Sequence, residues 1–298
     1  MNVKEASLIS YLSNVIDGKA EMPSHLLEEF SQLAKKALEK HFTKKDTNFT
    51  LRMSNVGKPL CQLQMQAKGV APEKPSYDFI VRMMIGDILE ALVITLLKGA
   101  DIEVKNHHQK VVLGVGERQI EGEYDIELDD GIYDIKTVSP FAFMHKFNAD
   151  NGYSKIKESD SFGYISQGHG YGMAANKPFK GWIAVNKSTG EIAFTDAVSD
   201  DKERKDVYAK IYDTSTALLD ERPFKRCFTD NEEVYYGKPT GNRTLGIECS
   251  YCPYKHNCWE NLEFKRQLSS KGKNPKWVWY TAIDPKWNDT HNNVRKTK

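Results

Sequence analysis

The chain has 298 residues, 40% of them hydrophobic, so it is long enough to form one large domain or two small ones around an ordinary globular core. Its 42 basic and 41 acidic residues give a formal net charge of +1, which excludes binding of a polyanion through overall charge and leaves that role to a local basic patch. No apolar run approaches the roughly 20 residues that span a bilayer, and the N-terminus has no basic segment followed by an apolar one, so we expect a cytoplasmic protein without a membrane partner.

Two helical patterns precede residue 100. Residues 24–46 have apolar side chains at helical spacing and a lysine-rich outer face, which we interpret as the solvated surface of a packing helix. We assign residues 1–48 to an N-terminal helical segment. Residues 77–97 form a more apolar pattern that predicts a central helix. Glu90 lies within this helix, and a carboxylate in an apolar setting is paired, exposed on a stripe, or bound to a metal ion.

The stretch between residues 111 and 138 predicts two strands joined by a turn. Residues 111–128 are rich in β-branched and apolar side chains, and the pattern resumes at residues 132–138. Between them, Asp129, Asp130 and Gly131 form a typical turn cluster. We therefore expect a hairpin, and the other candidate residues are arranged around it.

Acidic side chains converge on one face of this hairpin. Because side chains alternate along a strand, Asp134 and Lys136 share a face while Ile135 points into the core. The preceding strand adds three carboxylates to that face: Glu121, Glu123 and Asp125. A cation such as Mg²⁺, which is typically held by one or two carboxylates with water and substrate phosphate, would relieve their repulsion. With a lysine that orients water, these are the components of metal-assisted phosphodiester hydrolysis, although a solvated polar face is the alternative for the motif alone.

The segment after the hairpin contains a second polar pair. Ser139 and Pro140 predict the start of a short helix over residues 141–147, and the polar residues 150–160 predict a mobile loop. In the predicted helix over residues 160–176, Gln167 and Tyr171 are four residues apart and therefore share one face.

Two further elements follow, after which regular patterns fade. Residues 178–197 predict a hairpin with its turn at residues 188–190. Residues 200–220 predict an amphipathic helix with four inward side chains: Val207, Ile211, Leu218 and Leu219. Residues 263–298 are predicted to be a basic and aromatic C-terminal tail, which either stacks on single-stranded nucleic acid or packs on the core.

Three of the five cysteines form a C-x₂-C-x₅-C motif: Cys249, Cys252 and Cys258. In a reducing compartment this spacing indicates a bound metal, and both zinc and an iron–sulfur cluster are compatible with it. A fourth ligand is then needed. Cys61 and Cys227 are the cysteine candidates, and His256 would complete a zinc site with three cysteines and one histidine.

The order of these motifs resembles that of the PD-(D/E)XK nuclease superfamily, and of its RecB-like branch in particular. The motifs are, in chain order, Glu90, then Asp125, then Asp134-Ile135-Lys136, then Gln167 with Tyr171. The cysteine motif with one upstream cysteine is similar to that of iron–sulfur members, such as the AddB nuclease domain and the RecB-like exonucleases associated with CRISPR loci. The resemblance covers roughly residues 50 to 260, and the motifs are specific jointly rather than singly.

The resemblance implies a fold, a set of site residues and two cofactors. The fold is an α/β fold with a central mixed sheet flanked by the helices at residues 77–97 and 160–176, followed by a cysteine-ligated cluster region, with residues 49–262 as the nuclease domain. A Mg²⁺ or Mn²⁺ ion would be held by the carboxylates of Glu90, Asp125 and Asp134 and the carbonyl of Ile135. Lys136 would be the catalytic lysine. The pair facing DNA would be Gln167 and Tyr171, and the ligands of a [4Fe–4S] cluster would be Cys61, Cys249, Cys252 and Cys258.

Two positions depart from the family pattern. Glu90 occupies a position that is often histidine in RecB-like members, which leaves the metal preference open. Asp134 stands where glutamate is more common. Neither departure removes an essential group.

We therefore expect a metal-dependent DNA exonuclease that acts on single-stranded DNA or free ends in recombination, repair or degradation. No phosphate-binding loop of the helicase type occurs in the sequence, so a helicase or recombination protein would be a partner in trans. A stand-alone nuclease of this kind suits a phage, in which case it would act in the host cytoplasm. The alternatives are a structure-specific endonuclease and a non-catalytic DNA-binding module whose cysteines hold Zn²⁺.

Overall fold

The computed structural model describes residues 2–43 and 48–287. The chain forms two compact units, which are described separately. The first unit comprises Met1–Lys58 and Ser76–Asp220, and the second comprises Pro59–Pro75 and Glu221–Lys298. The segment boundaries predicted from the sequence, after residues 48 and 262, stay predictions.

The first unit is built on a mixed five-stranded sheet. Its strands follow one another across the sheet in chain order: β1 (Val104–Val115), β2 (Arg118–Leu128), β3 (Gly131–Val138), β4 (Phe179–Asn186) and β5 (Ile192–Asp196). Strands β3 and β4 are parallel and all other neighbours are antiparallel. A parallel pair needs a crossover, and residues 139–178 supply it with helical segments. The predicted α/β class with a mixed sheet is confirmed.

The hairpin predicted around residues 129–131 is confirmed. Across this turn Leu128 pairs with Gly131, and Ile126 pairs with Tyr133. The pattern over residues 111–128 contains two strands, because the chain reverses at Gly116, whose φ of 58° lies in the left-handed region that favours glycine. Strand β1 therefore lies beside β2, on the side away from β3.

Three helices cover one face of this sheet: α1 (Val3–Ile16), α2 (Ser24–Phe42) and α4 (Tyr77–Gly99). Helix α2 corresponds to the pattern predicted over residues 24–46, of which residues 44–46 lie outside the described part. The core on this face includes Ile94 and Leu97 of α4 with Tyr133, Ile135 and Ile183 of the sheet. Because side chains alternate along a strand, the neighbouring residues of β3 and β4 point to the opposite face.

Helix α4 is central only in its second half, which corrects the expectation that it is buried throughout. The buried residues of α4 begin at Ala91, whereas large apolar side chains in the first half are exposed, among them Tyr77, Phe79 and Met83. The helix is apolar on most sides, and a sequence pattern without a polar stripe does not show which part of the helix is covered by other elements.

Helix α6 (Gly152–Glu158) replaces the loop predicted over residues 150–160. Its buried side chains, Tyr153 and Ile156, are three residues apart and lie on one helical face. The prediction was wrong because two apolar positions in a polar stretch are too few to establish a helical period. The preceding short helix is confirmed as α5 (Pro140–Ala142) followed by a short π-helix (Phe143–Phe147). Ser139 caps α5 by accepting a hydrogen bond from the Ala142 N–H.

Helix α7 (Tyr164–Ala175) packs on the sheet face opposite α4. A Cβ atom at Gly168 would lie 2.2 Å from the ring of Phe179, and one at Gly170 would lie 2.3 Å from the sulfur of Met53. These glycines therefore permit close approach of the helix backbone to its neighbours, although they lower its intrinsic helix propensity.

The remaining predictions for the first unit are largely confirmed. Strands β4 and β5 form the hairpin expected over residues 178–197, and helix α8 (Asp201–Leu219) matches the expected helix. Val207 and Ile211 are buried as expected. Leu219 is 47% exposed, so its inward assignment was wrong; it is the last residue of the helix, beyond the packed turns.

The second unit contains a four-stranded sheet in the order β6-β7-β9-β8, where the sequence predicted no regular structure. Its elements are α3 (Leu60–Ala67), β6 (Asn231–Tyr235), β7 (Lys238–Thr244), α9 (Ile247–Ser250), α10 (Lys255–Cys258), β8 (Glu263–Arg266) and β9 (Trp277–Ala282). Strands β8 and β9 belong to the stretch predicted as a tail, of which residues 288–298 lie outside the described part.

The buried side chains of β6 and β7 are polar, which explains why these two strands were missed. The buried carboxylate of Glu233 accepts hydrogen bonds from Thr240, Asn242 and Tyr280 at 2.8–3.0 Å. A strand whose inward side chains are polar lacks the apolar alternation by which strands are recognised. Across residues 2–43 and 48–287, no helix has the length and apolar character needed to cross a membrane.

Candidate active site

Two carboxylates and a lysine lie close together on the adjacent strands β2 and β3: Asp125, Asp134 and Lys136. The β2–β3 pairing joins Glu127 with Ile132 and Ile126 with Tyr133, and one further step in this register sets Asp125 beside Asp134. Residues opposite each other on antiparallel strands point to the same face.

Short contacts hold this group in place. The Asp125 Oδ2 atom accepts a hydrogen bond of 2.6 Å from the backbone N–H of Ile135. The Nζ atom of Lys136 lies 2.6 Å from the Asp134 Oδ2 atom. The predicted alternation along β3 is therefore observed: Asp134 and Lys136 pair on one face, and the Ile135 side chain is buried in the core on the other.

Asp134 is completely inaccessible to solvent, and this burial dominates its electrostatics. Burial raises the pKa of Asp134 to about 7; the Lys136 ammonium opposes this shift, and the nearby Asp125 carboxyl adds to it. The Asp134 Oδ1 atom has no hydrogen-bond partner among the described residues. Burial acts to lower the pKa of Lys136, but attraction to Asp134 and Asp125 outweighs it and leaves that pKa above its usual value.

Glu90 approaches this group from helix α4. Its pKa is well above the ordinary value, first because the carboxyl is largely buried and second because Asp125 repels its charge. The ammonium groups of Lys136 and Lys40 act in the opposite direction. The structure thus brings together four residues, the first and last of which are 46 positions apart in the sequence: Glu90, Asp125, Asp134 and Lys136.

Gln167 and Tyr171 lie on helix α7 at the same site. The Gln167 amide donates a hydrogen bond of 3.1 Å to the Tyr171 hydroxyl. Tyr171 is 3% exposed, and its pKa is raised by burial and then by the charges of Asp134 and Asp125. Within this pair Gln167 is partly accessible and Tyr171 is buried. The contact with DNA expected for both residues stays a prediction.

Sequence reasoning missed Tyr164 at this site. The Lys136 Nζ atom lies 5.5 Å from the centroid of the Tyr164 ring, a cation–π contact. The Asp160 carboxylate accepts hydrogen bonds from the backbone N–H groups of Tyr164 and Ile165 and so fixes the start of α7. An aspartate shortly before a helical pattern is a recognisable start signal, and it would have indicated this position.

His108 was also missed. Its Nδ1 atom lies 3.4 Å from the Glu90 Oε1 atom and 3.7 Å from the Glu123 Oε1 atom. The sequence feature that could have indicated His108 is the turn at Gly116. A hairpin that reverses there sets residue 108 opposite Asp125 by register. That turn is hidden in a continuous apolar and β-branched pattern.

The donor set suits a hard divalent cation. Within residues 2–43 and 48–287, no group of three or more His, Cys, Asp or Glu side chains is arranged so that it could hold a metal ion. Mg²⁺ is usually held by only one or two carboxylates, with water and substrate phosphate completing its shell. The adjacent carboxyls of Asp125 and Asp134, one with a buried oxygen that lacks a donor, fit that requirement. That the Ile135 carbonyl also binds the ion stays a prediction.

The cysteines all lie in the second unit, and none of those in the described part is in a disulfide. Cys249 lies in α9, Cys252 follows it with a backbone hydrogen bond of 3.1 Å to the Cys249 carbonyl, and Cys258 ends α10. Cys61 lies in α3, and its backbone N–H donates a hydrogen bond of 3.2 Å to the sulfur of Cys227. The structure therefore places both candidates for the fourth cysteine ligand side by side.

The thiols of Cys61 and Cys227 alter each other's pKa. The hydrogen bond with Cys227 and then burial raise the pKa of Cys61, and the same bond lowers the pKa of Cys227 to about 6. Cys258 adds a smaller contribution that also raises the pKa of Cys61. His256, the alternative zinc ligand, packs edge-on against Trp279 with ring centroids 5.1 Å apart.

The sequence matches no model of a protein family and no curated protein. Among solved structures, the crystal structure of SSO0001 resembles the chain with a TM-score of 0.41 and 16% sequence identity, over 75% of this chain and 92% of that one. At that TM-score the likeness carries no argument about function.

Proposed function

We propose that this protein is a metal-dependent DNA nuclease of the PD-(D/E)XK type, and more narrowly an exonuclease of the RecB-like branch. The observation that carries the proposal is the Asp134–Lys136 pair, which is buried next to Asp125 and within electrostatic reach of Glu90. Burial of a carboxylate is costly, and a structural role for the pair would not need two further carboxyls beside it.

Each residue has a role in the proposed reaction. Asp125 and Asp134 would hold the Mg²⁺ or Mn²⁺ ion, and Glu90 and the Ile135 carbonyl would be the further oxygen donors that the family resemblance implies. When bound, the ion lowers the pKa of water and stabilises negative charge on the phosphate.

Lys136 orients the attacking water and contributes positive charge next to the scissile phosphate. The Tyr164 ring beneath its ammonium group restricts the position of that group, which lies 5.5 Å from the ring centroid. The partly accessible amide of Gln167, held by the Tyr171 hydroxyl, contacts the DNA.

We also propose that the cysteines of the second unit hold a [4Fe–4S] cluster, with Cys61 as the fourth ligand beside the C-x₂-C-x₅-C motif. The support is the spacing of the motif, together with the electrostatic effect of Cys258 on the pKa of Cys61, 197 positions away in the chain. Zn²⁺ is the alternative occupant. The proposed partners are DNA with free ends and a helicase or recombination protein that opens the duplex.

The test is digestion of end-labelled linear single- and double-stranded DNA beside closed circular DNA, with Mg²⁺, with Mn²⁺ and with chelator. The wild-type chain should degrade only linear substrates, and only with metal. Asp134→Asn should be inactive on all of them. Cutting of closed circles would replace the exonuclease with an endonuclease, and DNA binding without cleavage by the iron- or zinc-loaded protein would favour the non-catalytic module.

A further inference from the structure

Phe162 exposes an aromatic ring beside the candidate active site, and the proposed mechanism gives this ring no role. The residue is 54% exposed. One face of its ring stacks on Tyr164, with ring centroids 5.5 Å apart and ring planes inclined by 21°. Within the part of the chain that the structure describes, no second ring stacks on Phe162. The other face of the ring is therefore open to solvent.

The Phe162 ring is separated from the ammonium group of Lys136 by a single ring. The Lys136 Nζ atom lies 5.5 Å from the centroid of Tyr164, the same ring on which Phe162 stacks. These two separations place the Phe162 ring within about 11 Å of Nζ, which is about three nucleotide steps at 3.4 Å per step along one strand. A DNA strand with a phosphate next to Lys136 can therefore reach Phe162 within a few nucleotides.

The backbone of the turn that carries Phe162 is held on both sides. Gly163 has a φ of 80°, and a Cβ atom there would lie 2.4 Å from the backbone carbonyl carbon of Gly57. Before the turn, the Lys146 ammonium donates a hydrogen bond of 3.1 Å to the Ser159 carbonyl oxygen. An aromatic ring that is positioned before binding loses little conformational entropy when a ligand stacks on it.

The backbone N–H groups at the start of α7 are already occupied. The Asp160 carboxylate accepts hydrogen bonds of 2.7 and 2.9 Å from the N–H groups of Tyr164 and Ile165. Such groups often bind phosphate at a helix N-terminus, but here a carboxylate of the chain itself takes that place. This end of α7 therefore offers a nucleic acid the exposed ring of Phe162 rather than a phosphate-binding site.

We propose that Phe162 is a stacking subsite for one nucleobase of single-stranded DNA, a few nucleotides from the phosphate that Lys136 contacts. This inference rests on the proposed function, since it specifies the form of the substrate at that site. Every base has a flat π-face, so the subsite accepts all four bases. Inside a duplex both faces of a base are covered by its stacked neighbours, so the subsite selects single strands and frayed ends.

The experiment measures binding of two single-stranded oligonucleotides to the full-length protein in the presence of chelator. One has all its bases, and the other has the same length and phosphate charge but only abasic nucleotides. Phe162→Ala should weaken binding of the first by about ten-fold and leave binding of the second unchanged. Because the ring carries no charge, the ratio of wild-type to variant affinity should not change with salt concentration.

Two further substitutions separate stacking from apolar packing. Phe162→Trp should bind the base-containing oligonucleotide at least as tightly as the wild type, whereas Phe162→Leu should be as weak as Phe162→Ala, because it is apolar but has no flat face. Tyr77→Ala is the matched control and should bind as the wild type does. Tyr77 is 86% exposed and lies about 20 Å from Glu90 along α4, at 1.5 Å per residue.

The cleavage assay on linear single-stranded DNA, run on the same proteins, separates this inference from the proposed function. If the wild type cleaves with metal and Phe162→Ala binds both oligonucleotides as the wild type does, the stacking subsite is wrong and the nuclease stands. Equal weakening for both oligonucleotides would also overturn the subsite, since the lost contact would then not involve a base. If the wild type neither binds nor cleaves DNA, the proposed function fails and the inference fails with it.

Discussion

The Lys136 Nζ atom lies 2.6 Å from the Oδ2 atom of Asp134, a carboxylate with no solvent exposure. An ion pair in such a place is stable only as a pair, because either partner alone leaves an uncompensated buried charge. It also sets the electrostatics of the proposed reaction, since Lys136 opposes the rise in the pKa of Asp134 that burial causes.

Lys136→Met should abolish DNA cleavage and lower the free energy of unfolding by roughly 3 kcal/mol, since Asp134 loses its counter-charge. The double variant Asp134→Asn/Lys136→Met should regain most of that stability but no activity. Urea unfolding and the linear-DNA assay measure the two effects. Lys155→Met is the control, because its pair with Glu158 is exposed and should affect neither quantity. Cleavage by Lys136→Met would refute the role given to the lysine.

Cys61→Ser should lose the iron–sulfur cluster, whereas Cys227→Ser should keep it. Cys61 is buried, while Cys227 is exposed and its sulfur accepts a hydrogen bond from the backbone N–H of Cys61. Both interact electrostatically with Cys258, so the choice of Cys61 follows from the family resemblance. Iron and labile sulfide should amount to about four atoms each per chain in anaerobically purified wild type and in Cys227→Ser. The reverse pattern would make Cys227 the ligand, and a colourless zinc-loaded wild type would remove the cluster from the proposal.

Because of His169, the free energy of unfolding of the first unit should be lower in mild acid than at neutral pH. Its Nε2 atom lies 2.9 Å from the Tyr153 hydroxyl, which donates to Glu203, and all three residues are buried. Burial lowers the pKa of His169 to about 4. The unfolded chain, with a pKa near 6.5, binds the proton first as the pH falls. The stabilisation is therefore complete above about pH 6.5 and is lost as the pH falls through about 4.

The comparison is urea unfolding of the wild type and His169→Gln at pH 7.5 and pH 4.5. The wild type should lose about 2 kcal/mol more than the variant between these pH values. Groups that titrate in both proteins cancel in this difference. Parallel losses in the two proteins would show that the histidine does not titrate differently in the folded and unfolded states.

Gly168→Ala should destabilise the first unit by about 1–3 kcal/mol, because the added methyl group would lie 2.2 Å from the Phe179 ring. It should also reduce DNA cleavage, since α7 carries Gln167 at the adjacent position. Gly86→Ala is the matched control: it lies in helix α4 with no atom within 4 Å of a new Cβ, and should stabilise by about 0.5–1 kcal/mol. Equal thermal shifts in the two variants would contradict the close packing of α7.

Local patterns were sufficient for the centre of the site. The turn at residues 129–131 and the alternation along β3 placed Asp134 and Lys136 on one face, and both follow from backbone geometry over a few residues. The positions of Gln167 and Tyr171 on one helical face follow from the same kind of short-range rule.

The sequence by itself determined the α/β class, the hairpin, and the residue types of the candidate site. The tertiary structure alone decided that Glu90 approaches Asp125 and His108, that Cys61 lies against Cys227, and that a second sheet forms around the buried Glu233. The spacing of apolar residues along one helix or strand predicts which face of that element is buried, because the residues of one face recur at a fixed interval along the chain. It does not record which two buried sides meet, because that depends on packing between residues far apart in the chain.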